Sequence, residues 1–468
     1  MLVGFQVVPR PIKESMPMRF RCSVCGYIHE GNEPPETCPV CGAGREEFLP
    51  EAEETAVLAT KPMAAEAPVS STGPRWVVLG GGIAGLSAIE AAREANPEAF
   101  ITLVHREASL PYSRLNLTRY LAGAVTKDHL VIHPGSWFEE QRIHLVQAEA
   151  RSLDRALRRV ILDNGQEIPY DRLVIATGAH AFVPSIPGVR RNGVHVLRTL
   201  ADADAILECA RSGARCVCIG GGLLGLESAG GLAGRGLDVT VVDEVRWLLS
   251  RQLAQSASAR LALHLGEIGI TIRTGAKTVE IMGDESVRAV VLSDGAEVPA
   301  DLVVLAAGVR PNVGLARSAG LEVKRALVID DRLRTSDPLV LAAGDVAEYR
   351  GATWGLWSVA LEQGRLAGRT LAGADAVFQG TPPATQLKVL AWPVFSMGRF
   401  EPEAPEDHVL EQADETRLVR IVLRNDVVVG GNIIGDAALA AALRRAVQEK
   451  LALAAVPELG FLSDKRIP

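Results

Sequence analysis

The sequence predicts an α/β chain with two doubly wound, mostly parallel sheets, a small four-cysteine module before them and an α+β domain after them. Three observations carry this expectation. First, residues 76–107 read as strand, glycine loop, helix and strand. The apolar run Trp76-Val77-Val78-Leu79 is short enough for one buried parallel strand. Gly80-Gly81-Gly82-Ile83-Ala84-Gly85 follows, then an Ala-rich helical run over 86–95, then a second apolar run over 101–104 that ends at His105-Arg106-Glu107. Second, the same order recurs downstream, from Gly220-Gly221-Gly222 to Gly308. Third, four of the seven cysteines, Cys22, Cys25, Cys38 and Cys41, crowd into one short stretch near the start. At 468 residues the chain has room for three or more domains.

Gly-x-Gly-x-x-Gly between a strand and a helix is the fingerprint of dinucleotide binding. Gly80 permits the tight turn, Gly82 lets backbone approach a pyrophosphate, and Gly85 lets helix and strand pack closely. The helix N-terminus offers free N–H groups and partial positive charge to phosphates. Ala84 lies inside this loop. The second fingerprint, Gly220, Gly222 and Gly225, follows an apolar run over 216–219, and its second strand, over 239–242, ends at Asp243-Glu244. Asp243 is placed to accept hydrogen bonds from adenosine ribose hydroxyls and to repel a 2′-phosphate, which favours NADH over NADPH. Arg246 and Arg251 lie nearby and keep the alternative open. Both units continue alike. Each has an antiparallel excursion, turning at Asn164-Gly165 or Asp294-Gly295, and an apolar strand ending in glycine: 173–175 before Thr177-Gly178, and 302–305 before Gly308. Two such folds in one chain suit a flavin and a nicotinamide face to face.

A net charge of −7 without a dominant basic stretch argues against nucleic acid. No apolar run is long enough for a membrane span and no signal-peptide core is visible, so the expectation is a cytoplasmic chain. In that setting clustered cysteines suggest metal before disulfide. Residues 18–50 carry two Cys-x-x-Cys knuckles, each closed by a glycine, that can place four thiolates tetrahedrally. About thirty residues cannot build a sufficient core, so the metal would supply folding energy. Tetrahedral sulfur suits zinc and iron alike. His29 reads as a surface residue, because four cysteines already complete the site. Met16 and Met18 both suit a translation start.

The stretch from Cys22 to Gly42 resembles the short rubredoxin-like domain found at one end of rubrerythrins, including the loop between knuckles. The resemblance implies an Fe(Cys)₄ electron-transfer centre with Phe20, Tyr27 and Phe48 as core aromatics. Residues 51–73, rich in Ala, Glu, Pro, Ser and Thr, read as a linker. As a flexible coil it would span about 25–30 Å. The remaining divisions expected are an FAD-binding domain over 74–198 and 325–377, an NAD(H)-binding domain over 199–324, and a C-terminal domain over 378–468. The last shows apolar strands over 417–424 and 426–430 that meet around Asn425-Asp426, then a helix over about 437–454.

Further signatures lie between these. An apolar strand delivers Gly344-Asp345, whose carboxylate could accept a ribityl hydroxyl or cap the strand end. Trp357-Ser358 opens a helical run, and its N-terminal amides could face a flavin pyrimidine edge and favour anionic reduced flavin. Together the motifs over 75–400 resemble the FAD-dependent pyridine nucleotide–disulfide oxidoreductase superfamily. Within it, Leu110-Pro111-Tyr112-Ser113-Arg114 and Leu117-Thr118-Arg119-Tyr120-Leu121 look like NADH:rubredoxin oxidoreductases and the flavin part of nitrite reductases. That likeness puts Arg114 and Arg119 beside the isoalloxazine. It also puts the usual ribose acid at Arg106, which leaves Glu107 as the substitute unless the ribose is held otherwise. A lysine common in these relatives is Arg119 here, which keeps charge but changes geometry. The C-terminal domain resembles the superfamily's interface domain, which implies a possible homodimer.

Thiol mechanisms need a cysteine against the flavin, and none occurs between Cys41 and Cys209. Cys209, Cys216 and Cys218 read as buried small hydrophobes. What remains is direct hydride transfer from NADH to flavin N5, with position supplied by the protein. Glu227, just past the second glycine loop, either orients the nicotinamide or is a plain helix carboxylate. The resemblance then implies an NADH:rubredoxin-type oxidoreductase, with its own iron module as acceptor, or a separate rubredoxin, rubrerythrin or diiron acceptor. Two rivals stand beside it: an NAD(P)H oxidase that reduces O₂, and a flavoprotein whose four-cysteine module is a zinc ribbon recruiting a partner.

Overall fold

Alternation of apolar runs with glycine loops folds as a buried parallel sheet requires. The computed structural model describes residues 18–22, 28–36, 38, 44–45, 48–50, 73–380, 384–387, 392–463 and 466–467. Cys25, Tyr27, Cys41, Lys388, Val389 and the linker over 51–72 lie outside the described residues. The chain divides into two units, Met1–Thr55 and Ala56–Pro468.

In the first unit, β1 (Met18–Cys22) pairs antiparallel with β2 (Ile28–Gly31) on one side and β3 (Phe48–Pro50) on the other. Phe20, Phe48, Cys22 and Cys38 are buried. Arg45 forms surface ion pairs with Glu33 and Glu36.

In the second unit, β4 (Arg75–Leu79), α1 (Ile83–Ala95) and β5 (Phe100–His105) form the first strand–helix–strand. Their parallel sheet runs Val340–Ala342, Arg172–Ile175, β4, β5, Ile143–Gln147. Next comes α2 (Leu117–Leu121), in the segment expected beside the flavin. The second repeat is β6 (Arg215–Ile219), α3 (Leu223–Ala233) and β7 (Asp238–Asp243). Its sheet has the same plan: Val194–Val196, Leu302–Leu305, β6, β7, Thr271–Thr274, all parallel. Each repeat also carries a three-stranded antiparallel sheet.

The two sheets borrow differently. The first takes its edge strand, Val340–Ala342, from beyond the second repeat, and takes α4 (Trp357–Leu371) to cover α1. Those helices touch backbone to backbone. A Cβ at Gly364 or Gly368 would overlap the carbonyl oxygens of Ala84 or Ala88. The second repeat in turn draws residues from the first: Tyr112, Leu117, Leu121 and Leu130 are buried in its core, with Leu226, Ala229 and Leu232.

The C-terminal sheet has six antiparallel strands in the order Ala384–Gln386, Val394–Gly398, Val427–Ile434, Leu418–Arg424, Asp407–Ala413, Arg466–Ile467. Asn425 and Asp426, at φ 51° and 62°, form the tight turn expected there. The strand after it runs on to Ile434, four residues past the expected Gly430. The helix Ala437–Gln448 stops before the expected 454, because Lys450 turns left-handed at φ 54° and the chain continues as a 3-10 turn, Leu453–Ala455. Among the described residues no helix is long and apolar enough to cross a membrane.

Candidate functional site

Both glycine loops have the geometry a dinucleotide needs. Gly80 and Gly220 turn at φ 118° and 117°, and their amides donate to Val104 and Val242 at 2.8 Å each. A Cβ at Gly85 would overlap the carbonyl oxygen of Gly80, and one at Gly225 that of Gly220, so helix and loop can pack this closely only through glycine. Around Gly82 and Gly222 the reverse holds: a Cβ there would meet nothing within 4 Å. These two residues cap α1 and α3 with no side-chain hydrogen bond. The first-turn amides of both helices thus face open space, the arrangement that receives a phosphate.

The strand ends differ. Asp243 Oδ2 accepts from Gly221 N at 2.7 Å, and Oδ1 accepts from Val245 N at 3.1 Å. In the ladders Leu79 faces Val104 and Ile219 faces Val242. The residue of the first fold in register with Asp243 is therefore His105, one position before Arg106. His105 is buried under Gly81, and burial pushes its pKa below the usual imidazole value against an opposing pull from Glu107. Arg106 is exposed, with Glu149 at 3.9 Å. Glu107 is committed elsewhere: it accepts from the Tyr112 hydroxyl at 2.6 Å and pairs with Arg114.

Around Tyr112 a part-buried polar network ties the two folds together. Its hydroxyl accepts from Leu200 N at 2.8 Å and from Arg114 Nη1 at 3.1 Å. Burial, more than any neighbour, pushes this hydroxyl's pKa up. Arg114 also donates to the Arg198 carbonyl at 2.8 Å. The Arg198 guanidinium pairs with Asp345 at 2.7 Å and donates to Ala179 O at 2.9 Å. A Cβ at Gly344, at φ 81°, would lie 2.9 Å from Ala84 Cβ, so the Gly344-Asp345 turn sits against the first glycine loop. Gln363 Oε1 accepts from Gly344 N at 2.8 Å. Its buried Nε2 has no hydrogen-bond partner among the described residues. Ser358, in the first turn of α4, is exposed.

Thr177-Gly178 and Gly308 flank a ribbon between the folds, Ala179–Ala181 against Val309–Pro311. Thr177 is clasped by Asn312, whose Nδ2 donates to the Thr177 carbonyl at 2.7 Å. Glu227 is buried, and its Oε2 accepts from Thr118 Oγ1 at 2.8 Å. Arg119, the next residue, is half-buried. Sequence reasoning passed over Tyr112, Thr118, Arg198 and Gln363 as site residues. Their one visible signal was proximity to motifs already singled out.

The cysteines need one correction. Cys216 and Cys218 are buried on one face of β6, with sulfurs 4.0 Å apart, as expected of neighbours two apart on a strand. Cys209 is only half-buried, because it ends the helix Leu200–Cys209, and its sulfur lies 3.6 Å from His195 Nε2.

The family profile described as pyridine nucleotide-disulphide oxidoreductase matches residues 74–364. A rubrerythrin, rubredoxin-like domain matches 20–49, and a rubredoxin NAD+ reductase C-terminal domain matches 383–451. The chain is 34% identical over 391 residues to nitrite reductase [NAD(P)H] of Bacillus subtilis, covering 82% of this chain and 48% of that protein. It is 30% identical over 372 residues to NADH-rubredoxin oxidoreductase of Clostridium acetobutylicum, covering 79% and 93%. It spans less than half the length of the nitrite reductases it matches. Among solved structures, the covalent putidaredoxin reductase–putidaredoxin complex superposes with a TM-score of 0.76 at 28% identity over 82% of this chain and 95% of that one. NADH:rubredoxin oxidoreductase from Clostridium acetobutylicum gives 0.69 at 28% over 82% and 97%. With more than half its length matched by the one profile, the chain belongs to the pyridine nucleotide-disulphide oxidoreductase family.

Proposed function

We propose that the chain is an NADH-dependent FAD oxidoreductase that passes electrons to a rubredoxin-type iron centre, its own N-terminal module or a separate rubredoxin or rubrerythrin-like acceptor. The observation that carries this reading is the pair of glycine loops with open helix N-termini, in a chain that begins with a four-cysteine module. In this reading residues 74–198 and 325–377 hold FAD, 199–324 hold NADH, and 378–468 form the interface domain. Gly80, Gly82, Ala84 and Gly85 receive the FAD pyrophosphate, with Thr177, Gly178, Gly344, Asp345 and Ser358 along the rest of the cofactor. Gly220, Gly222, Gly225, Asp243 and Gly308 serve NADH. Asp345 reaches a ribityl hydroxyl only in competition with Arg198, which anchors it. Glu107 takes the adenosine ribose in competition with Tyr112 and Arg114, which hold its carboxylate, unless the ribose is held otherwise.

Bound FAD would supply the chemistry of hydride acceptance from NADH and of one-electron donation. The protein's part is position and charge. Arg114, fixed by Glu107, Tyr112 and the Arg198 carbonyl, and Arg119 on α2 supply positive charge at the flavin side. Glu227, buried one turn into α3, orients the nicotinamide. Cys22, Cys25, Cys38 and Cys41 form a tetrathiolate set that suits iron and also accepts zinc. A reduced-thiol site of this kind suits the cytoplasm.

Anaerobic rapid mixing with NADH tests the reading, because flavin and ferric-thiolate absorbance can be followed separately. Both bands should bleach, the ferric band with a rate constant independent of protein concentration if transfer is intramolecular. Replacing Cys22 and Cys41 with serine should abolish the ferric band and leave flavin bleaching nearly unchanged. Native protein carrying only zinc when grown with ample iron would favour the recruiting-module alternative.

A further inference from the structure

We propose that Thr118 is a positioning residue whose hydroxyl aims the Glu227 carboxylate at the nicotinamide. This rests on the reading of Glu227 given above. Thr118 belongs by sequence to the first fold, yet α2 is built into the second. Gly231 of α3 lets the helices close: a Cβ there would lie 3.2 Å from Thr118 O and 3.3 Å from Ala122 N. Arg235 donates to the carbonyls of Leu121 and Tyr120 at the end of α2, where cations are favoured. Asp204 accepts from Tyr120 Oη at 2.9 Å and from Lys127 Nζ at 2.8 Å. The segment is thus clamped at several points, and its Thr118 hydroxyl lies 2.8 Å from Glu227 Oε2 with both residues buried.

A carboxylate on a helix retains rotamer freedom unless something fixes it. Here one fixing group, the Thr118 hydroxyl, comes from the segment that also carries Arg114 and Arg119. The hydrogen bond therefore ties the direction of the nicotinamide-side carboxylate to the flavin side across the fold boundary. A charged acceptor makes such a bond worth more than a neutral pair.

The test uses the full-length FAD-loaded protein and the variants Thr118→Val, Thr118→Ser, Glu227→Gln and the Thr118→Val/Glu227→Gln double. Valine keeps the shape and removes the hydroxyl. Thr118→Val should slow flavin bleaching at saturating NADH by roughly tenfold, as loss of one charge-assisted hydrogen bond would. NAD+ affinity by calorimetry should change less than about threefold and the thermal midpoint by only a few degrees, since the effect is on direction. Thr118→Ser should restore most of the rate, and the double variant should match Glu227→Gln alone. A Thr118→Val rate equal to wild type, a serine variant as slow as valine, or fully additive losses would overturn the proposal. If Glu227→Gln is silent while NADH bleaches the wild-type flavin, both Glu227 and Thr118 lose their roles. If NADH fails to bleach the wild-type flavin, the proposed function itself fails. Should Thr118→Val lose FAD on purification, Thr118→Ala replaces it in the same comparisons.

Discussion

The two dinucleotide folds are close copies in everything that shapes backbone and differ at the end of the second strand. Both sheets share one strand plan, both loops turn on a left-handed glycine, and both helices start uncapped on open space. Even a surface latch repeats. Arg75, at the start of β4, binds Asp171 through its amide at 2.7 Å and its guanidinium at 2.9 Å. Arg215, at the start of β6, binds Asp301 in the same way at 3.0 and 2.6 Å. At the strand ends the copies part. Asp243 presents a carboxylate in the second fold, where the first has a buried imidazole and then an exposed guanidinium. The backbone frame suits any dinucleotide, whereas the strand-end side chain sets which one.

The most severe way to break the comparison is at the glycines that cannot carry a Cβ. Gly85→Ala and Gly225→Ala each force a methyl onto a backbone carbonyl and should cost about 3 kcal/mol or more locally. The first should yield protein without yellow flavin. The second should keep the flavin but lose NAD+ binding by calorimetry. If both variants lose FAD, the second fold is required for the first to form, and the two are not separable sites.

A smaller effect is expected at Asp243. NADH should be preferred over NADPH at least tenfold in kcat/KM, about 1.4 kcal/mol, and Asp243→Ala should narrow that gap. Steady-state rates with both coenzymes decide it. Equal wild-type rates would show that Arg246 or Arg251 outweighs the carboxylate.

The smallest effect concerns the latch. The side-chain hydrogen bond from Arg215 lowers the Asp301 pKa to about 2. An ordinary aspartate titrates near about 3.9. A carboxyl depressed on folding stabilises above its unfolded pKa, so the contribution is present above about pH 4 and fades as pH falls towards 2. Both partners are nearly half exposed, so solvent screening keeps the contribution small. Asp301→Asn should flatten the dependence of the urea midpoint on pH in that window, lowering the midpoint slightly at neutral pH and leaving it unchanged near pH 2.

Local pattern made much of this molecule legible. A glycine fingerprint between an apolar run and a helical run is a short-range signal, and its repetition after 140 residues exposed both folds. Asp243 was readable because it ends its strand directly. In the first fold the strand runs one residue past its apolar character, which stops at Val104, so that His105 is the residue in register with Asp243. Contacts made by folding were not legible. Arg198 meets Asp345 from 147 residues away and Thr118 meets Glu227 from 109, and neither pair leaves a periodicity or spacing in the chain. Cys209 looked like a core residue by type, but the end of its helix half exposes it.

The borrowed edge strand has a consequence for the order in which the chain can be assembled during synthesis. All five strands of the second sheet lie between Val194 and Leu305, so that sheet can form as soon as its own stretch has emerged. The first sheet, although it starts earlier, lacks its edge until Val340–Ala342 arrives, and α1 lacks its glycine-lined cover until α4 is made. Until then its apolar surface must wait, a delay of the kind that long-range contacts impose and that exposes nascent chains to wrong partners. The later sheet thus has all its strands first, and the segment carrying Tyr112, Leu117 and Leu121 already has part of its burial partner, Leu226, Ala229 and Leu232, while the earlier sheet is unfinished.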